Sequence, residues 1–369
     1  MKVICERGAL FDALNLAGAV VLARTPKPVL LCVKLTAADG VLRITSTDLE
    51  VGLNIVVRQV EVEEEGEALV PSDKLLGIVR ESSDATLTFA TEDSSVHVRG
   101  SDSHFQILGH TPSEYPPVQG FEGDPTFTIK AGMLSELIAR TLFATARENS
   151  RYAINGVLME REGRKLVLVA TDGRRLAFAS GTCDVEGDDE APTENSVIIP
   201  TKAFSLLGRL IHEPEEDVFV RLDDNEAVFG VESASIATSL VEGTFPPYRE
   251  VIPKDQDKRV HFATSELMSG VRRAALLTNE ESKGVCFSLE QDQMVLSSHA
   301  PEMGHAEVKV PIKTYNGEPV KIGFNPTFVV DALKVVDAEE VVLELKSSNK
   351  PGILKAGSGF LYVIMPVNL

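Results

Sequence analysis

The sequence predicts an α+β fold made of three repeated units, each with two helices packed on antiparallel sheets. Three observations carry this. Short phrases recur along the 369 residues at a spacing of about 125 residues. Each recurrence is embedded in the same order of helical and strand-like segments. The length also suits two or three domains rather than one.

The recurring phrases are concrete. Val70-Pro71-Ser72-Asp73-Lys74-Leu75 returns as Ile199-Pro200-Thr201-Lys202-Ala203-Phe204 and, more loosely, as Phe324-Asn325-Pro326-Thr327-Phe328-Val329. Leu42-Arg43-Ile44-Thr45-Ser46-Thr47-Asp48 returns as Leu166-Val167-Leu168-Val169-Ala170-Thr171-Asp172, and Met294-Val295-Leu296-Ser297-Ser298 follows the same pattern. Tyr115-Pro116-Pro117-Val118 has a counterpart in Phe245-Pro246-Pro247-Tyr248.

In each unit an amphipathic helix comes first, with apolar residues at steps of three and four: Leu10, Leu14, Ala17, Val21; then Leu134, Ile138, Thr141, Thr145; then Leu267, Val271, Ala274, Thr278. A shorter helix follows each Pro-containing phrase, with Ser72 and Thr201 expected as N-caps, and with Pro326 at the first helical position after Asn325. Short alternating runs such as 42–44, 85–89, 218–222 and 341–345, separated by Gly, Asp and Asn, predict the strands. The expected domains are 1–122, 123–254 and 255–369, with residues 184–190 as a solvated acidic loop inside the second.

Composition excludes several classes. Apolar residues at 43% and charged residues at 25% are globular proportions, so a disordered chain is ruled out. No apolar run reaches the roughly 18 to 20 residues of a spanning helix, and the charged start is not that of a signal peptide. A soluble, cytoplasmic protein without membrane partners is expected. Cys5, Cys32, Cys183 and Cys286 lie far apart, which suggests reduced structural thiols rather than a zinc site or disulfide framework.

The net charge of −19 argues first against nucleic acid, whose affinity comes from Lys and Arg. Its distribution reverses that impression. Segments 7–24, 71–80, 131–151, 200–211, 264–277 and 325–336 hold 12 basic and 6 acidic residues, so the helices carry +6 and the remainder −25. Glu forms helices as well as Lys and Arg do, so propensity alone accounts poorly for the asymmetry. Helices lining one common surface would make it basic on an acidic body, accepting duplex DNA in one place only. A closed ring would then hold the duplex more durably than phosphate contacts alone.

Catalytic and metal-binding patterns are missing. There is no phosphate-binding loop, no H-E-x-x-H, no G-x-S-x-G and no complete EF-hand. His97, His104 and His110 would fall on irregular faces of a strand, so no metal site and no cofactor are expected. Thr47-Asp48 and Thr171-Asp172 recur at equivalent places, which suits Asp capping the amides of a turn. The competing readings are a hydrolase using Asp172 with Arg174 or Arg175, and a scaffold that binds peptides without DNA.

Several phrases together resemble the bacterial sliding-clamp family, the beta subunits of DNA polymerase III. They are Thr45-Ser46-Thr47-Asp48-Leu49-Glu50, Arg151-Tyr152-Ala153-Ile154-Asn155-Gly156, Ala170-Thr171-Asp172-Gly173-Arg174-Arg175-Leu176, Phe245-Pro246-Pro247-Tyr248-Arg249 and the ending Tyr362-Val363-Ile364-Met365-Pro366-Val367-Asn368-Leu369. The resemblance runs the length of the chain. It implies three domains of the DNA-clamp fold, a head-to-tail dimer closing a six-domain ring, and no catalysis. The implied role is to encircle duplex DNA and confer processivity. The implied partners are double-stranded DNA, the DNA polymerase III catalytic subunit, the clamp loader, a second copy as homodimer, and other polymerases, mismatch-repair proteins or ligases that carry clamp-binding motifs.

By the same resemblance, a partner-peptide pocket maps to Ile154, Thr171, Gly173, Arg174, Arg175, Leu176, Pro246, Val251, Tyr315, Val363, Met365, Pro366 and Val367. An exposed alternate face of Val363, Met365 and Val367 is expected to help form it. The DNA contacts map to Arg24 and Tyr152, with Arg147, Arg151, Lys202 and Arg209 as replacement cations, because Ala153, Glu148 and Asp73 depart from the family pattern. The dimer contact maps to Phe105 and Ile107 facing Leu276 and Leu277, with its basic side reduced to Lys74 and His104. An apolar contact with little salt sensitivity is the expectation.

Overall fold

The computed structural model describes residues 1–92, 94–146, 153–185, 195–278, 284–290 and 293–368. Seven α-helices occur among them: α1 (Arg7–Val20), α2 (Ser72–Glu81), α3 (Ala131–Thr141), α4 (Thr201–Leu210), α5 (Tyr248–Val251), α6 (Thr264–Ala274) and α7 (Pro326–Lys334). Omitting the short α5, they form the expected pairs. The first helix of each unit is shorter than its apolar stripe: Leu142–Ala144 and Ala275–Leu277 tighten into 3₁₀ turns after α3 and α6.

Two expected caps are corrected. Pro71, not Ser72, occupies the cap of α2, and Ser72 is buried in its first turn. Thr201 begins α4 and its hydroxyl donates to the Asn155 carbonyl 2.6 Å away. The remaining cap is as expected, since Asn325 Oδ1 accepts from the Thr327 amide at 2.9 Å with Pro326 at the first helical position.

The chain forms two compact units, and neither coincides with a sequence repeat. One is built on Met1–Ser135 and Lys202–Leu240, the other on Glu136–Thr182 and Val241–Leu369. The middle repeat is divided because each of its sheets continues a neighbour's.

In the first unit a five-stranded sheet has the order Val60–Glu64, Lys2–Glu6, Thr86–Glu92, Ser95–Arg99, His104–Leu108. An eight-stranded sheet runs Phe127–Lys130, Asp217–Leu222, Glu226–Val231, Ala234–Ser239, Val51–Val57, Val41–Thr47, Cys32–Ala38, Gly66–Pro71. Its two halves join where Ile236 pairs with Leu53.

In the second unit a nine-stranded sheet runs Asn195–Pro200, Gly156–Glu162, Lys165–Thr171, Arg175–Thr182, Phe360–Ile364, Gly352–Ala356, Glu340–Leu345, Lys258–Ala263, Thr314–Asn316. A four-stranded sheet has the order Gly304–Pro311, Gln293–Ala300, Val285–Leu289, Val320–Phe324. Every strand pairing among the described residues is antiparallel, and in the nine-stranded sheet the central strands are buried nearly throughout.

The repeated Thr-Asp phrases are turns of one design. Thr47 Oγ1 accepts from the Leu49 amide at 2.9 Å and donates to the Val51 carbonyl at 3.0 Å. Thr171 Oγ1 accepts from the Gly173 amide at 3.1 Å and donates to the Arg175 carbonyl at 2.6 Å. Asp48 and Asp172 each cap two following amides through Oδ1. The third position of each turn has a positive φ, 81° at Leu49 and 84° at Gly173. Such a conformation suits Gly and strains Leu.

Candidate functional site

The nine-stranded sheet and the turn at 171–175 build an apolar site in the second unit. The strand Arg175–Thr182 pairs with Phe360–Ile364 so that Leu176 lies opposite Val363 and Arg175 opposite Ile364. Beyond that strand the chain stays extended, with the Met365 amide donating to the Arg174 carbonyl and the Val367 amide to the Gly323 carbonyl, both at 2.9 Å. These two bonds fix residues 365–367 beside the turn. A further wall comes from Pro246-Pro247 leading into α5, where the Tyr248 amide donates to the Pro246 carbonyl at 2.7 Å.

The floor is a cluster of Ala153, Leu158, Val167, Val169, Leu176, Ile198, Tyr248 and Val363, with Phe178, Phe245, Ile252 and Leu361 against it. Tyr248 is buried because its hydroxyl donates to Glu160 Oε2 at 2.6 Å, and the guanidinium of Arg249 caps the same carboxylate at 2.7 Å. Burial, and next the bond to Glu160, raise the Tyr248 hydroxyl well above the ordinary tyrosine range. Beside α5 a cavity of about 560 Å³ has Val167, Phe178, Tyr248 and Ile252 on its apolar side and Glu160, Arg161, Glu162, Lys165, Asn195, Ser196, Arg249 and Lys254 around it, and none of the expected pocket residues lines it. Such a combination of apolar floor and polar rim suits a peptide anchor.

The expected pocket residues divide into floor, rim and one outlier. Leu176, Val363, Ile154 and Thr171 are buried, while Val251 and Met365 are 45% and 40% exposed. Gly173 and Arg174 are exposed at the turn, and Pro246, Pro366 and Val367 are half-buried. The expected exposed face of Val363, Met365 and Val367 is thus corrected. Val363 is floor, because its strand lies in the sheet interior and Tyr362, Val363 and Ile364 are all buried. Alternation reads a half-exposed strand, which this one is not.

Tyr315 stands apart. Its strand is the far edge of the sheet, five strands from Arg175–Thr182, roughly 24 Å at about 4.8 Å per strand. The aromatic ring beside the rim is Phe328 of α7, whose centroid lies 4.5 Å from the Arg175 guanidinium carbon. In the sequence Phe328 belongs to the helix-start phrase Asn325-Pro326-Thr327-Phe328, which carries no sign of a pocket.

Arg175 is a buried tie rather than an open rim cation. Its side chain is 11% exposed and bonds Asp172 Oδ2 at 3.1 Å, Asp331 Oδ2 at 2.9 Å and the Phe143 carbonyl at 2.8 Å. Burial opposes its charge, but Tyr362, Asp331 and Asp172 together raise its pKa above the ordinary arginine value. Arg174 remains the open cation of the turn.

The expected DNA contacts also separate. Arg24 is exposed beyond α1, and Arg209 is exposed on α4, lining a groove of about 680 Å³ in the first unit with Asp12, Asn15 and His212. The ammonium of Lys202 is instead held by Asp48 at 2.5 Å and the Val20 carbonyl at 2.7 Å. Arg147, Arg151 and Tyr152 lie outside the described residues.

At the expected dimer contact, Phe105 is 40% exposed and Leu276 76%, while Ile107 is buried and Leu277 half-buried. Lys74 pairs with its own neighbour Asp73 at 3.0 Å. Leu108 and Met303, at 74% and 57% exposure, were not foreseen. His97 Nδ1 and His104 Nε2 meet at 2.9 Å with rings stacked, because neighbouring strands bring them together diagonally. Among the described residues no group of three or more His, Cys, Asp or Glu could hold a metal ion, and no helix is long and apolar enough to cross a membrane.

The fold defines a protein of the DNA-clamp class: repeated helix-and-sheet units, sheets continued across repeat boundaries, and an apolar cluster at one such junction. The chain belongs to the DNA polymerase III beta subunit family. Models of that family's N-terminal, central and C-terminal domains match residues 1–119, 128–247 and 249–368. The chain is 34% identical to the beta sliding clamp of Pseudomonas putida and 32% identical to that of Escherichia coli K12, covering all of each. It is similar to a crystal structure of the Pseudomonas aeruginosa sliding clamp bound to griselimycin, with a TM-score of 0.91 at 32% identity over the whole of both chains. A Bacillus subtilis clamp structure shares the fold at a TM-score of 0.93 and 23% identity, covering 100% of this chain and 99% of that one.

Proposed function

We propose that this chain is a DNA sliding clamp: a homodimeric ring of six domains that encircles duplex DNA without reading its sequence and tethers a replicative polymerase. The observation that carries this is the apolar site at Leu176 and Val363, with the exposed Met365 beside it, within a chain whose three parts match the three domains of the clamp family. The family is a non-catalytic processivity factor, which favours neither the hydrolase nor the peptide-scaffold reading. The domains are 1–122, 123–254 and 255–369. The cytoplasm is the expected location, and the clamp loader, repair polymerases, mismatch-repair proteins and ligases are the expected further partners.

The dimer reading is supported by two different free edges. His104–Leu108 ends the five-stranded sheet and Gly304–Pro311 ends the four-stranded one. Phe105 and Leu108 sit on the first edge, and Met303 adjoins the second. Joining one edge to the other edge of a second copy is a heterologous contact, which closes into a ring and removes both open edges.

The test uses topology. Loaded by a clamp loader onto nicked circular plasmid, the protein should co-elute with DNA through gel filtration and be lost once the plasmid is linearised. Equal retention on both forms would refute encirclement.

A further inference from the structure

We propose that Asp331, on α7, is a positioning residue for the partner-peptide pocket. It acts through Arg175 to hold rim residues 173–176 in the shape that receives a peptide. The inference rests on the pocket reading above and concerns a residue that belongs to none of the pocket's walls.

The geometry is that of a clasp. Arg175 spends each arm of its guanidinium on a different segment: Nε on Asp172 of its own turn, Nη2 on the carbonyl of Phe143, and Nη1 on Asp331, 156 residues away in sequence. The rings of Phe328 and Phe143, with centroids 4.5 Å and 5.4 Å from the guanidinium carbon, add cation–π contacts. A guanidinium fixed by three acceptors and two rings has one position available to it.

That position matters to the pocket because the same few atoms build the rim. Asp172 Oδ1 caps the amides of Arg174 and Arg175 while its Oδ2 meets the guanidinium. The Arg174 carbonyl accepts from the Met365 amide, and Leu176, the next residue after Arg175, lies opposite Val363. The guanidinium thus adds one tie, from Asp172 to α7, beneath a turn that also meets the terminal segment and the floor.

Removing the Asp331 carboxylate leaves a nearly buried cation with one carboxylate, which is already committed to capping. An undercompensated buried charge is costly. The guanidinium then turns toward water, and the turn moves with it. Lys334 lies 3.6 Å from the other oxygen, Asp331 Oδ1, and is 54% exposed, so it contributes little to the clasp.

The experiment measures binding of a fluorescent peptide with Leu and aromatic anchors, taken from a polymerase's clamp-binding motif, to the full-length protein by anisotropy. Asp331→Asn, close in size to the native residue, should weaken binding about three- to thirtyfold. Lys334→Ala should leave affinity unchanged, and mass in solution should not alter in either variant. The double variant Asp331→Asn with Arg175→Lys should bind no more weakly than Arg175→Lys alone, since both act through one clasp. The Gly173 and Met365 amide resonances should shift in Asp331→Asn.

Wild-type affinity in Asp331→Asn, or effects that multiply in the double variant, would overturn the inference. If Asp331→Asn does not fold, Asp331→Glu replaces it under the same expectation of weakened binding, and unchanged affinity there overturns the inference equally. Failure of the wild-type protein to bind the peptide would sink the pocket reading itself.

Discussion

Lys202 Nζ lies 2.5 Å from Oδ2 of Asp48, whose side chain is only 6% exposed, so this lysine, expected as a DNA contact, also serves as a structural tie. The carboxylate also caps the amides of Glu50 and Val51. Asp48→Ala removes the caps and leaves the ammonium without its carboxylate. A loss of about 2 to 4 kcal/mol is expected, below the full cost of breaking a buried pair because Lys202 is 35% exposed. Chemical denaturation measures it, and a loss under half a kcal/mol would contradict the tie.

Deleting residues 365–369 removes the backbone bonds to Arg174 and Gly323 together with the exposed thioether of Met365. Peptide affinity should fall at least about thirtyfold, corresponding to a hot-spot loss of about 2 kcal/mol. The floor residue Val363 remains, so the mass in solution should be that of the intact protein. An unchanged dissociation constant would remove the terminal segment from the pocket.

Leu276→Asp places a charge on a side chain that is 76% exposed beside the edge proposed to meet a second copy. Analytical ultracentrifugation should then show monomer where the native chain is dimeric, with the melting temperature lowered only by the loss of association, because the side chain is 76% exposed in its own chain. If the proposed edges meet, the dimer should resist salt, since Phe105, Leu108 and Leu276 are exposed apolar side chains beside them. Strong weakening between low and high ionic strength would indicate a charge-driven contact.

Thiol reactivity should be ordered by burial. Burial raises the Cys5 thiol to about 12 and the Cys32 thiol to about 11, so neither supplies thiolate at pH 8. Cys183 is 2% exposed, while Cys286 is partly accessible. A disulfide-forming reagent should label the folded protein first at Cys286, and Cys286→Ser should abolish that phase. Fast labelling that survives this substitution would show that the buried thiols open readily.

The triplication, the helix pairs, the Thr-Asp turns and the absence of familiar catalytic motifs were readable from the chain, because spacing, periodicity and amide capping are local. Leu10, Leu14 and Ala17 share a stripe whatever they later pack against. Which strands neighbour each other is not local. Tertiary pairing buried Val363 on both sides of its strand, left Tyr315 on a distant edge, brought Phe328 to Arg175, and committed Lys202 and Arg175 to carboxylates far away in sequence. A side chain's charge is written in the sequence, but whether that charge faces water, a ligand or a buried partner is decided only when register and burial bring remote segments together.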